Sequence, residues 1–167
     1  MQDSQEKINH SRRLIESQPE SIRNCIELSV HEQFDPQPIK DASVYLLRML
    51  LRNQTDAEAT RILANLLPVL RETPSARLLI VDTVLSEPGS IGILDEALER
   101  YRDMTMKQAF NTKERELQEF HRLLGAVGDG AGRLAIRNIE RSPGSVLSSI
   151  EVAYQPYENG PIESGIA

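Results

Sequence analysis

The chain has 167 residues, 40% of them hydrophobic and 26% charged, with a formal net charge of −6. That length suits one domain with one sizeable core, and no apolar run approaches the roughly 20 residues a membrane helix needs. The acidic balance, a pI near 5.2 and only 4% aromatic residues without Trp argue against a nucleic-acid surface. The polar start Met1–His10 is no secretory signal, so the cytoplasm is the expected location. A lone cysteine, Cys25, excludes an internal disulfide and reads as a small buried hydrophobe.

In chain order, sparse apolar points predict a helix over Glu6–Glu16, ending near Pro19. Ile26–Val30 alternates apolar and polar residues and predicts a short strand. Pro36 and Pro38 exclude regular structure around Phe34–Pro38. Ser43–Leu51 is a nearly continuous apolar run, the pattern of a strand buried on both faces of a parallel sheet. Thr55 and Glu58 then form a capping box, and Ala59, Ile62, Leu63, Leu66, Leu67 and Leu70 make one helical stripe, with Pro68 expected to loosen its last turn. Arg77–Leu85 is a second buried-strand run, so strand, helix and strand predict a parallel crossover unit.

The second half predicts helices over Ile91–Arg102 and Thr112–Gly125. Two alternating strands, Arg133–Ile139 and Val146–Val152, are joined by Arg141-Ser142-Pro143-Gly144 as an antiparallel hairpin at a sheet edge. The residues after Tyr154 read as a flexible tail. The fold class is therefore α/β: parallel strands, flanking helices and a C-terminal antiparallel hairpin. Gly128, Gly130 and Gly132 follow a helix and precede a strand, the reverse of a nucleotide-binding turn, and read as a flexible turn. His10, His31 and His121 show no metal-ligand spacing, and no metal is expected.

Several segments at consistent spacing resemble the plant and fungal O-methyltransferases that act on phenols and polyketides. They are Phe34–Pro38, Tyr45–Arg48 followed by Thr55–Ala59, and Leu78–Asp82 followed by Glu87-Pro88-Gly89. Asp103–Met106 through Asn111–Glu116, and Ser142–Ser145 with Ser149–Val152, continue the likeness in the family's order. The resemblance implies a partial methyltransferase domain over residues 26–153, a poorly matching helical segment over 1–25 and the tail over 154–167. It further implies an incomplete Rossmann-like sheet whose family binds S-adenosylmethionine, with the glycine-rich cofactor loop and the helical dimerisation domain upstream of the matching residues.

Residue by residue, the resemblance assigns cofactor contacts to Glu32, Gln33 and Arg48, and a substrate-side segment to Met106, Phe110 and Asn111. The family's catalytic histidine falls on Arg52, and the two acids that orient it fall on Asp82 and Glu114. Without the resemblance, Asp82 is an ordinary strand-end carboxylate and Glu114 an acid in the first turn of a helix. Arginine stays protonated at physiological pH and cannot serve as base, but it can hold an anionic or carbonyl oxygen. The implied function is O-methylation in secondary metabolism, impaired in the isolated chain. The alternatives are a cyclase or pericyclase that uses Arg52, and a non-catalytic partner subunit. The implied partners are a small phenolic or polyketide substrate and a second copy or a full-length methyltransferase.

Overall fold

The computed structural model describes residues 2–158, which fall into two compact units, Met1–Asp35 and Pro36–Ala167. In the first, α1 (Gln2–Glu16) is longer than the periodicity alone predicts, and Pro19 precedes a four-residue α2, Glu20–Arg23. The strand expected over Ile26–Val30 does not form; the segment is irregular, with Ile26 and Val30 exposed. Alternation makes a strand only where a neighbour offers a ladder of partners, and none is present among the described residues. Cys25 also departs from expectation: it is exposed, and its Sγ donates to the Ser21 carbonyl at 3.2 Å.

The second unit is built on a four-stranded sheet. Its elements run β1 (Val44–Arg48), a 3-10 turn (Leu51–Asn53), α3 (Asp56–Glu72), β2 (Arg77–Asp82), β3 (Val84–Leu85) and α4 (Ile93–Phe110). They continue through β4 (Arg115–Glu116), α5 (Leu117–Gly125), β5 (Gly132–Arg141) and β6 (Ser148–Pro156). The strand order is β1-β2-β6-β5, with β1 and β2 parallel and β6 antiparallel to both β2 and β5. The crossover unit and the closing hairpin are therefore present, on the α/β plan expected.

The capping box explains where α3 begins: Thr55 Oγ1 accepts from Glu58 N at 3.3 Å while Glu58 Oε2 accepts from Thr55 N at 2.9 Å. Its stripe of Ala59, Ile62, Leu63, Leu66 and Leu70 is buried, and the helix runs on past Pro68 to Glu72. Phe120, Leu123 and Leu124 of α5 are buried likewise, and both helices contact the sheet strands. Below them Tyr45, Leu78, Ile80, Ile150 and Val152 line one sheet face in register. Each fully buried Leu or Ile there contributes roughly 1.5–3 kcal/mol relative to exposure.

Four expectations change. Ser43–Leu51 is not a strand buried on both faces, because Val44 and Leu46 are exposed on the side away from Tyr45. β1 is the edge of the sheet, and Val44, Leu46 and Arg48 on its second face are exposed. The run Arg77–Leu85 breaks after Asp82, so that β3 leaves the main sheet and pairs in parallel with β4. The helix expected over Thr112–Gly125 starts only at Leu117; Glu114 and Arg115 are pulled inward by charged partners that a helix would not let them both reach. Finally, β6 runs on to Pro156, into the stretch read as tail, and residues 159–167 lie outside the described residues.

Candidate active site at the carboxyl edge of the sheet

β1, β2 and β5 point the same way, so Arg48, Asp82 and Arg141 mark one edge of the sheet, where open α/β sheets place their ligands. Met49 follows β1 with φ +51, and its N–H donates to the Val81 carbonyl at 2.9 Å. A left-handed conformation in a non-glycine residue costs about 1–3 kcal/mol and is typical of functional turns. The bend delivers the 3-10 turn to the end of β2, where Leu51 is fully buried and anchors it.

Arg52 sits in that turn. Its N–H donates to Asp82 Oδ2 at 3.1 Å, while Asp82 Oδ1 accepts from Thr83 N at 3.0 Å. Asp82 is 1% exposed, and burial raises its pKa against the opposing pull of those two N–H groups and of Arg52. Arg52 Nη2 meets Glu114 Oε1 in an ion contact that lacks hydrogen-bond alignment, and Glu114 Oε2 has no donor at all. Glu114 is held from behind by its own N–H, which donates to Asp103 Oδ1 at 2.8 Å. Its side chain is wholly buried, and burial pushes its pKa up to about 7. Arg52 pulls against that shift, and Asp82 and Asp103 add to it.

The three residues assigned to catalysis thus gather in one cluster. Glu114 is not a first-turn helix acid, since it lies before β4 in non-helical backbone. The other assignments scatter. Arg48 ends β1 at the same edge and is exposed. Glu32 and Gln33 belong to the unit of residues 1–35, where Glu32 Oε1 accepts from Gln33 N at 3.1 Å. Met106 is buried inside α4, Phe110 is exposed, and Asn111 closes α4 at φ +54 with its Oδ1 accepting from Lys107 Nζ at 2.8 Å.

Two charged groups that the sequence reading missed hold this edge together. Arg115 is 2% exposed and donates to the Leu51 carbonyl at 2.7 Å, the Gln54 carbonyl at 2.9 Å and Asp56 Oδ1 at 2.8 and 3.0 Å. It therefore clamps both sides of the turn that carries Arg52. Glu99 is 3% exposed and accepts from Ser86 N at 2.8 Å and from both terminal nitrogens of Arg141 at 3.0 Å, joining α4 to the hairpin. The alternation Glu114-Arg115-Glu116 was the signal: in extended backbone, neighbours point to opposite sides. Among the described residues, no group of His, Cys, Asp and Glu could hold a metal ion.

Residues 13–129 match the family model described as O-methyltransferase domain. The chain is 41% identical over 151 residues to the O-methyltransferase fsr2 of Gibberella fujikuroi, a match covering 90% of this chain and 38% of that protein. It is 42% identical over 134 residues to the O-methyltransferase VdtC of Byssochlamys spectabilis, covering 80% of this chain and 30% of the relative. The solved structure of the mitomycin 7-O-methyltransferase MmcR superposes with a TM-score of 0.73 at 21% identity, covering 89% of this chain and 39% of that one; this likeness speaks to the fold alone. The chain spans about a third of the length of the curated relatives it matches. With the fold, the order of its segments and these matches in agreement, the chain belongs to the O-methyltransferase domain family.

Proposed function

We propose that this chain forms the acceptor-binding part of an S-adenosylmethionine-dependent O-methyltransferase of fungal-type secondary metabolism, acting on a polyketide or phenolic oxygen in the cytoplasm. The observation that carries the reading is the cluster of Arg52, Asp82 and Glu114 at the carboxyl edge of the sheet, three residues that the resemblance assigns to catalysis.

In this reading the residues have separate tasks. Arg52 holds the acceptor oxygen; Asp82 fixes the backbone of Arg52; Glu114 orients the guanidinium. Such positioning and charge stabilisation supply much of the rate in a two-substrate reaction. S-adenosylmethionine, the family's donor, supplies the methyl group from its sulfonium. Arg48 is the residue of the second unit proposed to face the donor, and Glu32 and Gln33 are proposed for a donor contact within the first unit by themselves. Among the described residues, however, no strand runs through a glycine-rich turn into a helix, the arrangement whose backbone N–H groups grip a charged cofactor chain. The fit of the described residues is thus to the acceptor side, and pairing with a second copy or a full-length methyltransferase is proposed as one source of the donor side.

Calorimetric titration of the purified chain with S-adenosylmethionine, followed by mass spectrometry of a panel of polyketide enols and phenols, tests the reading. Measurable if weak binding, with methylated product, is the expected result. A folded chain that neither binds the donor nor yields product, alone or mixed with a full-length relative, overturns it.

A further inference from the structure

Arginine carries five N–H donors in a planar fork. In Arg52 only Nη2 has a side-chain partner among the described residues, Glu114 Oε1. The side chain is 14% exposed, and none of its other nitrogens is both buried and unpartnered, so those donors face solvent. Of the surrounding acids, only Glu114 makes an ion contact with Arg52 among the described residues. Asp82 spends both oxygens on backbone N–H groups, and Asp103 accepts from Glu114 N. A second guanidinium, Arg102, lies close enough to act on Glu114, and its Nη1 is buried without a partner. Arg115 is fully committed to the turn. Arg52 is therefore the cation at this edge whose free donors are open to whatever enters, the unpartnered Arg102 nitrogen being buried.

An ordinary phenol, with a pKa of about 10, is almost wholly protonated at neutral pH and needs a base within reach before its oxygen can accept a carbon. Arg52 cannot take that proton. Glu114 has no exposed side-chain surface and lies on the inner side of Arg52, out of an acceptor's reach. An oxygen that arrives already ionised leaves no proton to be removed, and a guanidinium binds it in a charge-assisted pair.

We infer that this site selects the ionised form of an acidic oxygen acceptor, such as the enol of a 1,3-dicarbonyl, a vinylogous acid or a carboxyl group, with Arg52 as its anion-binding residue, and discriminates against neutral phenols. The consequence for methylation rests on the proposed function; the anion site itself does not.

The probe is 4-nitrophenol, which titrates near neutral pH and whose anion is yellow. Added to the intact chain, it is expected to ionise at lower pH than free in solution, because the site favours the anion. Arg52→Lys should weaken binding, and the double variant Arg52→Gln/Glu114→Gln, which removes both members of the ion contact together, should weaken it by about tenfold or more. Glu114→Gln alone removes the competing carboxylate and should tighten binding at pH 8. Wild-type affinity in the double variant overturns the inference, as does preference for the neutral probe. Weakening by Glu114→Gln to the level of the double variant overturns it too, since Glu114 would then be the contact. Methyl-transfer assays separate this claim from the proposed function. Anion binding without any methylated product sinks the transferase reading and leaves the site standing. Methylation of neutral phenols without anion binding does the opposite.

Discussion

The two ends of the same sheet treat a carboxylate in opposite ways. At the amino end of β5, Asp129 Oδ1 accepts from Ala131 N and Gly132 N at 2.9 Å and from the Tyr154 hydroxyl at 2.8 Å, while Oδ2 takes Arg71 Nη1 at 3.0 Å. Those donors, Ala131 N–H first, hold its pKa down to about 2. At the carboxyl edge, Glu114 is wholly buried, has one unaligned ion contact and an oxygen with no donor, and its pKa is pushed up to about 7. One carboxylate is satisfied and does structural work; the other is left short of partners. Unmet charge inside a fold is costly and persists where function needs it.

The largest effect should come from the clamp that lets the strained end stay folded. Arg115→Met removes the donors of Leu51 O and Gln54 O, and urea denaturation should show a loss of about 3 kcal/mol. A loss under about 1 kcal/mol would mean that the turn carrying Arg52 holds itself, and the contrast between the ends would lose its main support.

Next in size is a pH effect with opposite signs at the two ends. Glu114 titrates higher folded than unfolded, so the folded state holds its proton more tightly. Stability is therefore full below the ordinary glutamate range near 4.5 and declines as pH rises through about 7. Glu114→Gln should flatten that decline, raising stability at pH 8 by up to about 3 kcal/mol with little change at pH 5. Asp129 titrates lower folded, so its contribution is present above the ordinary aspartate range near 3.8 and is lost as pH falls toward about 2. Midpoints measured from pH 3 to 9 would sharpen the comparison; a flat wild-type profile between 5 and 8 would break its Glu114 half.

How much of this was legible depends on what kind of signal each feature leaves. α3 was plain, because a capping box and an apolar stripe are local and agree with each other. The hairpin was plain too, from two alternating runs around Ser142-Pro143-Gly144. The exposed face of β1 was not, since a continuous apolar run says that both faces want cover without saying what supplies it. The positions of Arg52, Asp82 and Glu114 came from resemblance rather than from patterning, and the structure brings them together. Arg115 and Glu99 escaped because a charge among other charges in sequence looks like part of a solvated face; only tertiary partners reveal that it is buried. The Gly128–Gly132 turn was recognised as a turn, but its stiffness was not, because the carboxylate that fixes it and the strand that crowds it are 25–27 residues apart in sequence, at Asp129 and at Tyr154–Pro156.

That stiffness gives the third test. A Cβ on Gly132 would collide with the Gln155 carbonyl oxygen and stand 2.6 Å from Tyr154 Cζ, so Gly132→Ala should cost roughly 1–3 kcal/mol. At Gly130 nothing lies within 4 Å, and Gly130→Ala should be neutral or slightly stabilising. Equal effects at the two glycines would mean that the turn yields, as a flexible turn does.

The smallest effect probes the satisfied end directly. Tyr154→Phe keeps the ring beside Gly132 and deletes one donor from Asp129 Oδ1, which retains Ala131 N and Gly132 N. Because the remaining donors still solvate the carboxylate, the loss should be about 1 kcal/mol, the net worth of one hydrogen bond, and constant from pH 5 to 8. Asp129 should titrate higher in the variant, moving the acid limb of the stability profile upward in pH. A loss as large as that of Arg115→Met would show that Asp129 depends on one donor in the way Glu114 depends on Arg52. The two ends would then differ in degree of exposure rather than in design.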